Sequence, residues 1–218
     1  MNNALKNRLK DNAFKYFGIA CTFFGLIMLA LFIGNILIEG ANRIDWDFIT
    51  NFPSRKAERA GILPALVGTL WIMGLTIVIA IPFGVGAAIY LEEYSKKNRW
   101  ADFLEINISN LAGVPSIIYG LLGLEIFGRI MGMGGSLLAG ACTLSLLILP
   151  VIIVATREAL KAVPKSIKEA SFALGASKWQ TIRYQLVPAS FGGIVTGVIL
   201  ALSRAIGETA PLIVIGAL

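Results

Sequence analysis

The sequence contains no histidine. That removes the side chain used most often for acid, base and nucleophile-activating work near neutral pH, and the usual zinc arrangements lose their commonest ligand. Cysteine is scarce as well. Cys21 and Cys142 both lie inside apolar runs, where they read as packing thiols and not as a disulfide or a metal site. No GxxxxGK[ST] string or other phosphate loop occurs, so a nucleotide would have to be bound by another chain. Charged residues make up only 15% of the chain, and no convergent acids, metal ligands or nucleophile stand within the apolar runs to suggest a membrane-embedded enzyme. Neither a cofactor nor a metal is expected in this chain.

What is abundant is apolar surface. Of 218 residues 56% are hydrophobic, and the mean hydropathy is +0.77, far above that of an ordinary soluble domain. A formal charge of +6 would suggest nucleic acid in a soluble protein. Here the basic residues fall mainly between apolar runs, the pattern of membrane topology and of contact with lipid, with no nucleic-acid partner. The fold expected is an all-α integral membrane bundle that crosses the bilayer several times.

Five runs are long enough for the roughly 30 Å hydrocarbon core, at about 20 residues each. The first covers about 14–38 behind a basic flank of Lys6, Arg8, Lys10 and Lys15. It is too long for a signal-peptide core, so a retained helix is expected, with 1–13 as a cytoplasmic segment and 14–218 as the membrane domain. A polar stretch at 39–60 reads as an outer loop with Trp46 at the interface. The second run, 61–90, carries Pro82, Gly84 and Gly86, which imply a bend. A short basic loop with Lys96, Lys97 and Arg99 leads to the third run, 103–127, interrupted at Gly113, Val114 and Pro115. Proline removes a backbone donor, so that break should face protein or a cavity. Gly128, Gly132, Gly134 and Gly135 mark a tight turn before the fourth run, 136–155. A fifth covers 188–208, and 211–218 is a further apolar piece that reads as an incomplete sixth region. Thirteen of the nineteen Lys and Arg residues fall on the side of the N-terminus and of loop 157–187, which places both in the cytoplasm. Arg43, Arg55, Lys56 and Arg59 run against that bias.

The loop AVPKSIKEASFALGASKWQTIRYQLVP reads as two short helices and a corner. Pro164 can open the first, Gly175 can close it with positive φ, and Ser177 can cap the second. Ile167, Ala170, Ser171 and Leu174 then share one face, with Lys165, Lys168 and Glu169 on the other. A helix this short needs a partner surface or the lipid headgroups.

In the fifth run, Arg204 would cost about 2.5–3.5 kcal/mol on insertion scales. At 100° per residue it falls within about 20° of the face of Gly193 and Gly197, and Glu208 within about 20° of Gly197. That GxxxG stripe, extended by Ala201, suits close approach by another helix. Two uses of the pair stand side by side: a salt bridge that satisfies itself, or an anion-binding Arg204 whose side chain Glu208 holds. Ser116 and Tyr119, beside the Pro115 break, can bond either an anion or a neighbouring helix.

Glu169, Ala170, Ser171, Gly175 and Pro188 resemble the EAA loop of ABC-importer membrane subunits, in which Glu-Ala-Ala is followed by Gly and then by Leu-Pro. Ser171, Gln185 and Val187 depart from that pattern while the spacing is kept. GVPSIIYGLLGL (113–124), the segment 149–189 and GVILALSRAIGETAPL (197–212) resemble permeases of the phosphate-specific Pst importer, of the PstA kind more than the PstC kind. The resemblance implies a type I importer permease fold with five spans and part of a sixth, since family members carry a further C-terminal span. It implies a chain without an ATPase site of its own, which lines half of a phosphate pathway in the bacterial inner membrane. It further implies a PstC-like membrane partner, two PstB-like ATPases holding ATP and Mg, and a PstS-like binding protein. Arg204 and Glu208 would lie on the phosphate route, and the EAA loop would dock on the ATPase. A permease for another oxyanion, such as molybdate or a phosphonate, or a structural subunit that transports nothing, are the alternatives.

Overall fold

Where no water can reach the backbone, its N–H and C=O groups must be satisfied within the segment, and long apolar runs therefore close into helices. In the computed structural model, which describes residues 2–41, 44–56, 59–95 and 99–216, the described residues contain helices and no strand. Arg43, Lys96 and Lys97 lie outside the described residues. Among the described residues four helices are long and apolar enough to cross a membrane, or five if one bent pair counts as a span. The chain divides into two units, Met1–Pro64 and Ala65–Leu218.

The first unit is dominated by α1 (Asn2–Gly40), which contains the expected first span and begins well before it. Phe14, Phe17, Phe24 and Phe32 are all exposed along it. Cys21 is exposed there and does not pack within the unit. The expected outer loop contains one helical turn, α2 (Trp46–Thr50), capped by Asp45, whose carboxylate accepts from the Phe48 N–H at 2.7 Å. The chain then folds back. The Ile62 N–H bonds the Phe48 carbonyl at 2.9 Å, and Gly61 lies so near Asn51 that a Cβ would meet its carbonyl oxygen at 2.2 Å.

In the second unit, α3 (Leu63–Ile89) runs through Pro82 and ends in a π-helical turn, Tyr90–Tyr94. Its buried residues Ile72, Thr76, Ala80, Gly84 and Ala88 recur every four positions and form one stripe. Arg99, expected in a loop, opens α4 (Arg99–Leu111), an amphipathic helix. The run read as one interrupted span is an elbow. Ala101–Leu111 and Ser116–Ile130 meet at 103°, because Pro115 has no N–H to donate and bars Val114 from helical geometry. Beyond the elbow lie α5 (Ser116–Gly123) and a second π-turn, Leu124–Ile130. The glycine turn is as expected, with Gly132 at φ 68° and Gly134 at φ 57°.

Helix α6 (Leu137–Lys161) starts on a Ser136 cap and continues past the expected end at 155, through Arg157, to Lys161. It is the central element. Leu147, Ile148 and Ile152 form the core with Ala80 of α3, Tyr119 of α5, and Ala201 and Ala205 of α9 (Val187–Ile206). Half-buried Cys142 is a packing thiol of this helix. Small residues allow the close contacts. A Cβ on Gly193 or Gly197 would lie 2.7 or 2.4 Å from the methyls of Ala159 and Ala155. Between α6 and α9 the chain forms α7 (Lys165–Ala173), α8 (Lys178–Thr181) and a third π-turn, Ile182–Leu186. That turn sits just ahead of Pro188, which lacks the N–H a regular α-helix would use at that point. The final apolar piece forms α10 (Ala210–Ile215), which ends at a left-handed Gly216 and packs against α5 through Pro211 and Gly120.

Candidate functional site

At the elbow, 112–115, two side chains reach backbone carbonyls, one at the last residue of α4 and one just beyond it. The Tyr119 hydroxyl, from the buried face of α5, donates to the Leu111 carbonyl at 2.9 Å. Arg204, in the last turn of α9, points Nη1 at the Ala112 carbonyl at 3.5 Å and places Nε 3.4 Å from Glu208 Oε1. Arg204, Glu208 and Tyr119 are thereby gathered around the break, with Ser116 half-buried in the first turn of α5.

Two geometric expectations for this region need correction. The stripe of Gly193 and Gly197 does face another helix, α6, but it continues through Ala201 and Ala205, both buried. Arg204 lies at its edge with 39% of its side chain exposed. Residues four apart advance by about 40°, so by this turn the contact face has moved on to Ala205, from which Arg204 diverges by about 100°. Glu208 is not on the helix, because α9 ends at Ile206 with Gly207 as its cap. The chain turns there, the Glu208 N–H bonding the Ala205 carbonyl at 3.2 Å, and the carboxylate borders a cavity of about 150 Å³ between Thr69, Met73, Leu144 and Leu212. A guanidinium has five N–H donors, and the long contacts to Ala112 and Glu208 occupy two of its nitrogens. The arrangement can exchange those contacts for the oxygens of an anion.

The loop has the form its punctuation implied. Pro164 precedes α7, Gly175 has φ +81°, and Ser177 and Gln180 form a capping box. Its face divides, however. Ile167 packs on Leu160, Val163, Ile182 and Leu186, and the Ser171 and Thr181 hydroxyls share a hydrogen bond of 2.9 Å. Ala170 and Leu174 point outward with Glu169, Leu174 being 89% exposed. A depression of about 370 Å³ lies among Ala170, Ser171, Leu174, Ala176 and Gln185. Pro188 is exposed in the first turn of α9.

Lys168, expected on the face opposite Ile167 and Leu174, forms an ion pair with Glu93, from the π-turn after α3. Sequence reasoning missed this turn. Glu92 lies 3.3 Å from Arg157 Nε, and the Nη2 of the same guanidinium reaches Glu105 of α4 at 3.0 Å. Lys161 approaches Glu105 at 3.6 Å and Glu158 at 2.9 Å. The Lys178 ammonium stands over the Tyr94 ring at 4.9 Å. The only sequence signal was an acidic pair, Glu92 and Glu93, at the end of an apolar run on the side rich in Lys and Arg.

Residues 80–218 match the family model described as binding-protein-dependent transport system inner membrane component. Among curated proteins, the chain is 36% identical over 213 residues to the probable ABC transporter permease protein YqgI of Bacillus subtilis, covering 98% of this chain and 71% of that one. It is 34% identical over 220 residues to the phosphate transport system permease protein PstA 1 of Mycobacterium tuberculosis, covering 97% and 70%. With the PstA permease of Haemophilus influenzae the identity is 36% over 190 residues, covering 87% and 67%. Of solved structures, an inward-facing MetNI methionine ABC transporter is similar with a TM-score of 0.57 at 24% identity, over 72% of this chain and 73% of that one. At that identity the likeness concerns the fold alone.

Proposed function

The chain belongs to the family of binding-protein-dependent transport system inner membrane components, and from that premise we propose that it forms half of the membrane pathway of an ATP-driven phosphate importer. The observation that carries this reading is Arg204, a cation at the edge of a membrane helix, aimed at a break in the neighbouring one. A guanidinium is suited to phosphate because its planar fork matches two oxygens at once. Glu208, 3.4 Å away, offsets its charge while the site is empty and gives the side chain a resting position. The phosphate label itself comes from relatives named as phosphate transport permeases.

The exposed face of Glu169, Ala170 and Leu174 would dock on a cytoplasmic ATPase that holds ATP and Mg. A second membrane subunit of similar kind would complete the pathway, and a periplasmic or lipid-anchored binding protein would deliver the anion. The excess of Lys and Arg on the loop side supports a cytoplasmic N-terminus in the bacterial inner membrane. Ser116, at the start of α5, is a further candidate for substrate contact.

The test is ATP-dependent uptake of radiolabelled phosphate into vesicles carrying the assembled importer, challenged with sulfate, molybdate and phosphonate. Phosphate should enter selectively, and Arg204→Gln should abolish uptake while the subunits still co-purify. Uptake of another oxyanion instead would move the substrate and keep the importer. Full uptake by Arg204→Gln would reduce the Arg204–Glu208 pair to a structural salt bridge.

A further inference from the structure

The π-turn Tyr90–Tyr94 presents three consecutive side chains to three different elements. Glu92 takes Arg157 of α6, Glu93 takes Lys168 of α7, and the Tyr94 ring takes Lys178 at the start of α8. Consecutive residues of a π-turn diverge by somewhat less than the roughly 100° of an α-helix, and three in a row still sweep an arc wide enough to reach three neighbours. Glu93 is only 9% exposed, and Arg157 only 12%. Paired charges removed from water to this degree are screened weakly, so their geometry is held more firmly than that of a surface pair.

The contacts continue beyond the turn. Arg157 joins Glu92 to Glu105 on α4, and α4 ends at the elbow whose Ala112 carbonyl faces Arg204. Glu105 and Ala112 are seven residues apart, about 10 Å along a helix. A continuous series of charge pairs and one rigid helix therefore leads from the underside of α7 to the break beside Arg204.

We infer that the Tyr90–Tyr94 turn is the joint through which the loop helices move α4, and through it the elbow at Arg204. Glu93 and Lys168 are positioning residues in this scheme and touch no substrate. The inference rests on the importer reading above, since it supposes that the outer face of α7 is driven by an ATPase.

The assembled importer in proteoliposomes provides the test, read as phosphate transported per ATP hydrolysed. Glu93→Gln and Lys168→Gln should each lower that ratio about fivefold or more, the lower end of ordinary coupling between sites, with ATP hydrolysis continuing. Exchanging the charges, Glu93→Lys with Lys168→Glu, should restore it. Unchanged ratios in the single variants, or an exchange that restores nothing, would overturn the inference. A second readout needs no substrate: a spin label at Phe103→Cys, exposed on α4, should respond to ATP with Glu93 present and stop responding in Glu93→Gln. An equal response in both, or none in either, would also overturn it. If the unmodified importer moves no phosphate while the label still depends on Glu93, the substrate reading fails and the joint stands.

Discussion

Gly197 lies so close to Ala155 that a Cβ added to the glycine would sit 2.4 Å from the Ala155 methyl. Gly197→Ala must therefore push α9 away from α6, at a cost of about 1–3 kcal/mol for overpacking. Gly192, on the same helix, has nothing within 4 Å of its Cβ position, and Gly192→Ala should leave stability unchanged or raise it. Thermal unfolding in detergent should separate the two. Equal midpoints would mean that α6 and α9 are not held at this distance.

Tyr119→Phe removes the hydroxyl that meets the Leu111 carbonyl at the elbow. The carbonyl keeps the Val114 N–H at 3.2 Å, so losing the second donor costs about 0.5–1.5 kcal/mol; the unfolding midpoint should fall slightly and uptake should decline only as the folded fraction does. Lost uptake at an unchanged midpoint would place the hydroxyl on the substrate instead.

Thr156 is buried in α6, and its hydroxyl has no hydrogen-bond partner among the described residues. Thr156→Val keeps the shape and removes the orphan group, so stability should stay level or rise by about 1 kcal/mol. A loss of more than that, seen in the same unfolding assay, would show that the hydroxyl has a partner in the assembled protein.

Gly175 turns the chain at φ +81° between α7 and α8. Gly175→Asp places a side chain where L-residues are disfavoured by about 1–2 kcal/mol, which should open the corner and reorient the outer face of α7. Co-purification of the ATPase should fall, with a modest drop in the unfolding midpoint of the isolated chain. Glu169→Lys, on the exposed side of the same helix, should lower co-purification with the midpoint unchanged, since it leaves the backbone alone.

Local punctuation carried much of the fold. Pro164, Gly175 and Ser177 are read one residue at a time, and each acts where its own chemistry dictates. The glycine stripe was legible because Gly193 and Gly197 sit on a regular helix. Reasoning from periodicity failed where the helix itself changed. Glu208 lies past the end of α9, and Pro115 yields an elbow of 103° where a milder interruption of one span was expected. The ionic contacts were not legible at all, since Arg157 is 65 residues from Glu92 and Lys168 is 75 from Glu93. Nothing local in a sequence says which of several cations a carboxylate will meet.

The buried stripe of α3 reaches Ala88 in steps of four, and the next step is Glu92. Every residue between the core and the three cations therefore counts toward the angle at which Glu92, Glu93 and Tyr94 emerge. Losing or gaining one position in this stretch would rotate them by about 100° and hand each cation the wrong neighbour, although no contacting residue had been replaced. Descendants of this gene can vary the spelling of α3 far more freely than its length, whereas an exposed connection such as 53–56 imposes no comparable phase and can absorb insertions.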